Sequence, residues 1–282
     1  MTLEVRRLGP EDTGASQRLG WEAFGVPATP EPPEAEQPGW HGWGAYSGGR
    51  LVAQAADREY DGWFGGRMLP LAGVADVTVA AEARGAGVLG PLLRAMLQGA
   101  RDRGAVMSTL FPTAPRIYRR VGYEAIGTLR WVDVPSAALG ALPPAPAVVL
   151  RRAGPEDAGT VRQLYAGWAS GLDGPLTRTG ISFPETDAEL VGAATGLTLA
   201  EDVDGQPLGY TAWVRGSGQA GAPDLLVRDL VAGDASVYAA LLRMLGSFSS
   251  VAATVRLRTT GNDLLRLLLP TADWTPLREN LY

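Results

Sequence analysis

Between residues 3 and 134 the pattern of apolar and polar positions switches between the two-residue period of strands and the helical period near 3.6. Leu3–Val5 reads as a short strand and Glu11–Phe24 as a helix. Trp43–Tyr46 and Leu51–Ala56 read as a hairpin closed by Ser47-Gly48-Gly49-Arg50. Met68–Leu71 and Gly73–Val79 continue the β pattern. Leu89, Leu92, Leu93, Met96 and Leu97 then recur at helical spacing, so Gly87–Arg103 is expected as a helix with one apolar face. Val106–Phe111 reads as a buried strand, Arg116–Val121 as a short helix and Ile126–Val134 as a last strand.

The second half repeats this logic. Arg6–Asp12 reads RRLGPED and Arg151–Asp157 reads RRAGPED. Each follows a short apolar strand (Leu3–Val5; Val148–Leu150), and each precedes a helical pattern (Glu11–Phe24; Glu156–Trp168). Leu197–Asp202, Gly209–Val214 and Leu225–Val231 read as strands, and Ala235–Phe248 as the counterpart of Gly87–Arg103. The proline-rich ALGALPPAPA of Ala138–Ala147 reads as a linker. Two related α/β domains in tandem follow, with residues 1–135 as the first, 136–147 as the linker and 148–282 as the second.

Composition narrows the chemistry. The 282 residues are 46% apolar, enough for packed cores. There is no cysteine, which excludes disulfides, thiolate metal sites and cysteine nucleophiles. The single histidine, His41, leaves no multi-histidine metal site within one chain, so no metal is expected. Net charge is −5 with no basic tract, which argues against nucleic acid and leaves a mild preference for cationic ligands. No run approaches the ~18 apolar residues of a membrane span, and MTLEVRRLGPED lacks the apolar core of a signal peptide, so a cytoplasmic protein is expected. All 25 basic residues are arginine, which reads as codon usage.

The most informative stretch is VTVAAEARGAGVLG, residues 77–90. A β-branched strand runs through a short polar loop into a glycine turn that opens the long helix. Amides at such a turn lack intrahelical partners, and the helix dipole favours an anion there. Arg84 can add a charge-assisted contact. The counterpart turn, VAGDAS (Val231–Ser236), has no arginine, and Asp234 puts an anion where a phosphate would sit. The second half is therefore expected not to bind nucleotide. Pro27–Trp40, PATPEPPEAEQPGW, is an acidic, proline-rich segment of the length used for lids and binding loops, or for plain surface connectors.

Two motifs carry a resemblance. Arg84-Gly85-Ala86-Gly87-Val88-Leu89 is similar to the Arg/Gln-x-x-Gly-x-Gly/Ala turn of the GNAT superfamily of acyl-CoA N-acyltransferases, departing only at the last position, where leucine precedes Gly90. Tyr118-Arg119-Arg120-Val121-Gly122-Tyr123 matches its Tyr-x-x-x-Gly-Phe/Tyr. The resemblance implies tandem GNAT folds, each a mixed central sheet flanked by helices, with acetyl-CoA as co-substrate. It implies that Val77, Thr78 and Val79 bind the pantetheine arm like an added strand, splayed from Val106–Phe111. It implies that Arg84, Gly85, Ala86, Gly87, Val88, Leu89 and Gly90 hold the pyrophosphate, and that Thr113 and Ala114 border the cofactor. A neutral amine then attacks the thioester directly. A backbone N–H near Val77–Val79 stabilises the oxyanion, and Tyr118 acts as general acid to the leaving thiolate. Tyr123 reads as core packing.

More narrowly, the chain resembles the enhanced-intracellular-survival (Eis) family of aminoglycoside and polyamine acetyltransferases, through VTVAAEARGAGVL, LFPTAPRIYRRVGY and the tandem of one intact and one degenerate half. That implies a small amine acceptor and a homo-oligomer, a hexamer in that family. The family's third, sterol-carrier-like domain is expected to be missing after Leu281-Tyr282, and with it the chain-terminal carboxylate that serves as base. Glu22, His41 or water are the substitutes considered. Trp21, Glu22, Phe24 and Trp40 are candidate acceptor contacts, aided by Glu31, Glu34 and Glu36. Competing readings are a tandem enzyme of the mycothiol-synthase kind, whose active motif lies in the second half, and a non-catalytic acyl-CoA-binding regulatory module.

Overall fold

A computed structural model describes residues 3–25, 37–112, 114–216, 224–259, 264–270 and 274–281. The chain divides into two compact units. The first holds residues 1–125 together with 172–184, and the second residues 126–171 and 185–281.

The first unit is built on a five-stranded sheet in the order β1-β2-β3-β4-β5. Its strands are β1 (Leu3–Arg7), β2 (Trp40–Ser47), β3 (Arg50–Phe64), β4 (Arg67–Val79) and β5 (Met107–Thr109). Only β4 and β5 run parallel. Three helices accompany the sheet: α1 (Thr13–Phe24), α2 (Leu89–Asp102) and α3 (Pro115–Arg119). Leu92, Leu93 and Met96 of α2 pack with Ala45, Val52, Ala53 and Ala55 on one face of the sheet. Small residues on the strands let the helix sit close, and each fully buried large side chain contributes about 2 kcal/mol.

The second unit carries a seven-stranded sheet in the order β12-β6-β11-β10-β9-β8-β7. Its strands are β6 (Thr128–Pro135), β7 (Val149–Arg152), β8 (Gly196–Glu201), β9 (Pro207–Arg215), β10 (Leu225–Ala232), β11 (Thr254–Thr259) and β12 (Thr275–Leu281). Helices α4 (Ser136–Gly140), α5 (Ala158–Ser170), α6 (Asp187–Gly192), α7 (Ala235–Gly246) and α8 (Leu265–Leu268) complete it.

The RRxGPED repeat has a structural cause in both units. Arg6 grips Asp12 through two hydrogen bonds of 2.7 and 3.0 Å, while the Gly9 amide donates to Asp12 at 2.9 Å. Arg151, Asp157 and Gly154 reproduce this at 2.8, 2.8 and 2.9 Å. One aspartate thus ties the end of a strand to the start of a helix by charge-assisted bonds. Arg151 holds the Asp157 carboxyl down at about 2.

The structure divides the chain elsewhere than at residues 135 and 148. The strand expected to end the first half, β6, pairs antiparallel with β11 over six residues and also with β12. Its apolar residues Val132 and Val134 are buried in the second unit's core. The expected linker begins inside α4. In the other direction, Leu172–Pro184 packs in the first unit. The Trp63 and Asp61 carbonyls accept from the Gly174 and Thr177 amides at 2.8 Å each, and the Trp63 amide donates to Pro175 at 2.9 Å. This explains why β3 runs on to Phe64 rather than stopping near Ala56: the charged run Asp57–Asp61 lacks alternation, but backbone partners on both sides hold it extended.

Candidate active site

The expected phosphate site is an open helix end. Helix α2 starts at Leu89, two residues later than the pattern suggested, and no side chain caps it. Gly85 and Gly87 have φ of 78° and 77°, a left-handed conformation that costs glycine little. A Cβ at either would meet nothing within 4 Å, so the turn faces open space. Among the described residues the amides of Gly85, Gly87, Val88, Leu89 and Gly90 have no hydrogen-bond partner. The turn is braced from behind. Arg84 Nε donates to the Val79 carbonyl at 3.3 Å, and Glu22 Oε1 accepts from the Ala81 amide at 2.8 Å.

Beside the turn lies an unpaired strand edge. The parallel ladder joins β4 to β5 only from Leu71 to Gly73, opposite Met107 to Thr109. Beyond that, β4 continues to Val79 with β3 as its sole strand partner among the described residues. The main-chain groups of Val74–Val79 facing away from β3 are thus free to pair with an extended ligand. A β-bulge interrupts the same stretch: Ala56 faces Ala75 and Gln54 faces Thr78, so Asp76 and Val77 together oppose Ala55.

Tyr118 sits on α3, buried in the apolar cluster that includes Val77, Val79, Val88 and Leu92. Burial raises its hydroxyl above the usual tyrosine value, which keeps the proton on. Tyr123 meets it edge-on, with ring centres 5.9 Å apart, and the Tyr123 hydroxyl shares a 2.5 Å hydrogen bond with Ser108 Oγ on β5. Tyr123 therefore steadies Tyr118 against the strand that borders the opening. Ala114 immediately precedes α3 and is exposed; Thr113 lies outside the described residues.

The structure separates the acceptor candidates. Trp21 and Phe24 are 37% and 64% exposed on α1, so neither is core. Glu22 is engaged with Ala81. Trp40 begins β2, and its indole N–H donates to Asp76 Oδ2 at 3.0 Å. His41 faces the α2 side of the sheet, where its Nε2 meets Glu59 at 2.5 Å and its Nδ1 meets Arg7 at 3.0 Å. Glu31, Glu34, Glu36 and Tyr282 lie outside the described residues.

Sequence reasoning missed Arg94 and Arg120. Arg94 of α2 folds its guanidinium back over Gly90. With Arg101, Arg120, Leu97 and Val121 it lines a cleft of about 400 Å³. None of these three arginines makes an ion pair among the described residues, although the chain is acidic. Helical spacing of Arg94 and Arg101 was the available signal.

The second unit repeats the scaffold without the open end. Its parallel ladder is also short, Leu225–Leu226 against Val255–Arg256, and β10 carries a bulge at the same stage. At the start of α7, however, Asp234 Oδ1 accepts from the Ser236 and Val237 amides at 2.8 and 3.0 Å. These bonds, the Val237 amide first, hold the Asp234 carboxyl below its usual range. The chain's own carboxylate fills the place an anionic ligand would need.

No helix among the described residues is long and apolar enough to cross a membrane, and no group of three potential metal ligands occurs among them.

Comparison with known proteins agrees with this geometry. Two models described as "Acetyltransferase (GNAT) domain" match residues 4–126 and 176–279. An uncharacterized N-acetyltransferase of Streptomyces avermitilis is 33% identical over 192 residues, which is 64% of this chain; the chain spans only 47% of that relative's length. A GCN5-related N-acetyltransferase from Kribbella flavida superposes with a TM-score of 0.79 at 28% identity, over 99% of this chain and 70% of the other. Eis1 from Mycobacterium abscessus shares the fold, with a TM-score of 0.69 at 20% identity over 99% of this chain and 72% of the other. The chain is a tandem of two GNAT acetyltransferase domains.

Proposed function

We propose that this chain is an acetyl-CoA-dependent N-acetyltransferase acting on a primary amine of a small polyamine- or aminoglycoside-like molecule, with the first unit catalytic and the second not binding nucleotide. The observation that carries the reading is the uncapped start of α2 lying beside the unpaired edge of β4. When bound, acetyl-CoA supplies an activated acetyl group. Amides from Gly85 to Gly90 hold its pyrophosphate, with Arg84 flanking the turn, and the free edge of Val77–Val79 pairs with the pantetheine amides. Thr113 and Ala114 border that arm. Arg94 and Arg120 suit a further phosphate at the nucleotide end.

A backbone N–H of β4 near Val77–Val79 stabilises the oxyanion as the neutral amine attacks the carbonyl carbon. The new C–N bond forms, the C–S bond breaks, Tyr118 gives its proton to the departing sulfur, and the proton lost by the amine nitrogen passes to water, from which Tyr118 is reprotonated. Its raised pKa keeps it in the acid form at neutral pH. Trp40 is the acceptor candidate the geometry favours, with Trp21, Glu22 and Phe24 at the rim. By the resemblance, the protein works as a homo-oligomer; a cytoplasmic location is the expectation read from the sequence. The mycothiol-synthase-like reading is disfavoured by the self-capped α7, because it needs the second unit's turn to hold the coenzyme.

The test is steady-state acetylation of spermidine, 1,4-diaminobutane and kanamycin by the wild type and by Tyr118→Phe. The variant should keep its affinity for acetyl-CoA and lose about a hundredfold in kcat. An unchanged kcat removes Tyr118 from the mechanism. Tight acetyl-CoA binding with no amine acetylated would instead indicate the regulatory module.

A further inference from the structure

Asp76 is one of two non-glycine residues of the first unit with positive φ, the other being Arg178 in the segment 172–184, and the one that lies within a strand of the sheet. It lies in the β4 bulge with φ of 55°, in the left-handed region that a strand-flanked side chain normally avoids and that such bulges usually assign to glycine. A strained conformation kept at a non-glycine residue points to a role for its side chain. Its side chain accepts from the Trp40 indole N–H, and no arginine pairs with it among the described residues, Arg58 on the same face included.

Strand alternation places Trp40, Arg58 and Tyr60 on the sheet face opposite α2. Two missing side chains let the rings lie flat there. A Cβ at Gly42 would overlap the Trp40 ring, and a Cβ at Gly73 would overlap the Tyr60 ring. The Phe183 ring packs against Tyr60 at 5.6 Å between centroids, within the same unit. The half-buried Asp76 carboxylate, immediately before Val77, meets the Trp40 indole and lies near enough to Tyr60 for its charge to help raise that hydroxyl, after burial. Two further acceptor atoms on that face, Gln54 Oε1 and Thr78 Oγ1, are buried with no partner among the described residues.

We propose that Asp76, flanked by Trp40 and Tyr60, is the anchor for an ammonium group of the acceptor, making this a site for cationic alkylamines rather than neutral aryl amines. The assignment rests on the acetyltransferase reading for its place in the reaction. A carboxylate supplies the ion pair, and aromatic faces add cation–π attraction. Glycine would fill the bulge without strain, so the aspartate is explained by what it binds.

The experiment titrates spermidine and kanamycin calorimetrically into the wild type, Asp76→Asn and Asp76→Gly, in the presence of CoA. Acetylation of 1,4-diaminobutane and of 4-methylaniline is followed alongside. Asn keeps the shape and tolerates the left-handed conformation, so it removes mainly charge. Binding of at least one polyamine or aminoglycoside probe to the wild type is expected, weakened about tenfold to a hundredfold in Asp76→Asn, the loss of one charge-assisted contact. KM for the diamine should rise likewise, and by more than KM for acetyl-CoA or for the aryl amine. Asp76→Gly should lose the amine too, and Asp76→Asn, which keeps a side-chain oxygen for the Trp40 indole N–H, should keep the wild-type Tm while losing the amine, which a merely structural aspartate would not do.

The proposal is overturned if neither probe binds the wild type, if Asp76→Asn binds as well as the wild type, or if amine and acetyl-CoA affinities fall together. Binding that depends on Asp76 without any acetylated product would leave this site standing and refute the acetyltransferase reading alone.

Discussion

Replacing Gly87 with aspartate tests the proposed phosphate turn most directly, because the structure separates the two effects. The first is conformational. Gly87 has φ of 77°, where a side chain costs about 1 kcal/mol, least for Asn and Asp. Space is not an issue, since a Cβ there meets nothing within 4 Å. The second effect is charge. A carboxylate about 5 Å from a phosphate repels it by about 0.8–3 kcal/mol per unit charge, for effective dielectric constants between about 80 and 20. A diphosphate with about two charges then loses about 2–6 kcal/mol of binding, a weakening from about thirtyfold to more than 10⁴-fold. Gly87→Asn shares the conformational cost without the charge and should weaken binding by only a few-fold. Calorimetric titration of CoA into both variants, at low and high salt, reads the difference. The gap between Asp and Asn should narrow at high salt, as screening shortens the reach of the added charge. Equal affinities for the two variants would refute the placement of a phosphate at this turn.

Two further outcomes are expected. Arg94→Ala and Arg120→Ala should each weaken CoA several-fold and leave 3′-dephospho-CoA nearly unaffected, as read by competition binding; equal losses for both ligands would exclude a phosphate from the arginine cleft. Arg151→Ala should lower Tm at neutral pH, because the Asp157 carboxyl, held at about 2 by Arg151, stabilises the fold only while ionised. That contribution is present above the ordinary carboxylate value near 4 and is lost as pH falls through about 2, so the wild type and variant should converge over that interval in a pH series of thermal melts.

Local chemistry made much of this protein legible without coordinates. Gly85 and Gly87 announce a turn only because their backbone conformation is a local property, and the apolar stripe of Leu89 to Leu97 announces its helix for the same reason. The repeat RRxGPED encodes a strand-to-helix clasp within seven residues, so it could be read twice. Asp234 likewise gives away the closed second turn, since a carboxylate at that position reaches the amides two and three residues on. What tertiary structure decided was everything that depends on distant pairing. The strand at 128–135 looks the same whichever sheet it joins; long-range partners in β11 and β12 place it in the second unit. The charged run after Ala56 becomes strand because β4 and the segment 172–184 bond to it. Asp76 reads as one acid in an apolar strand until a register shift against β3 makes it a bulge and brings Trp40 from β2 across to it. Sequence determined the elements and the open glycine turn because short-range geometry suffices for them; the fold decided the unit boundary and the sheet face that carries Trp40 and Asp76, because both are made by residues far apart in the chain.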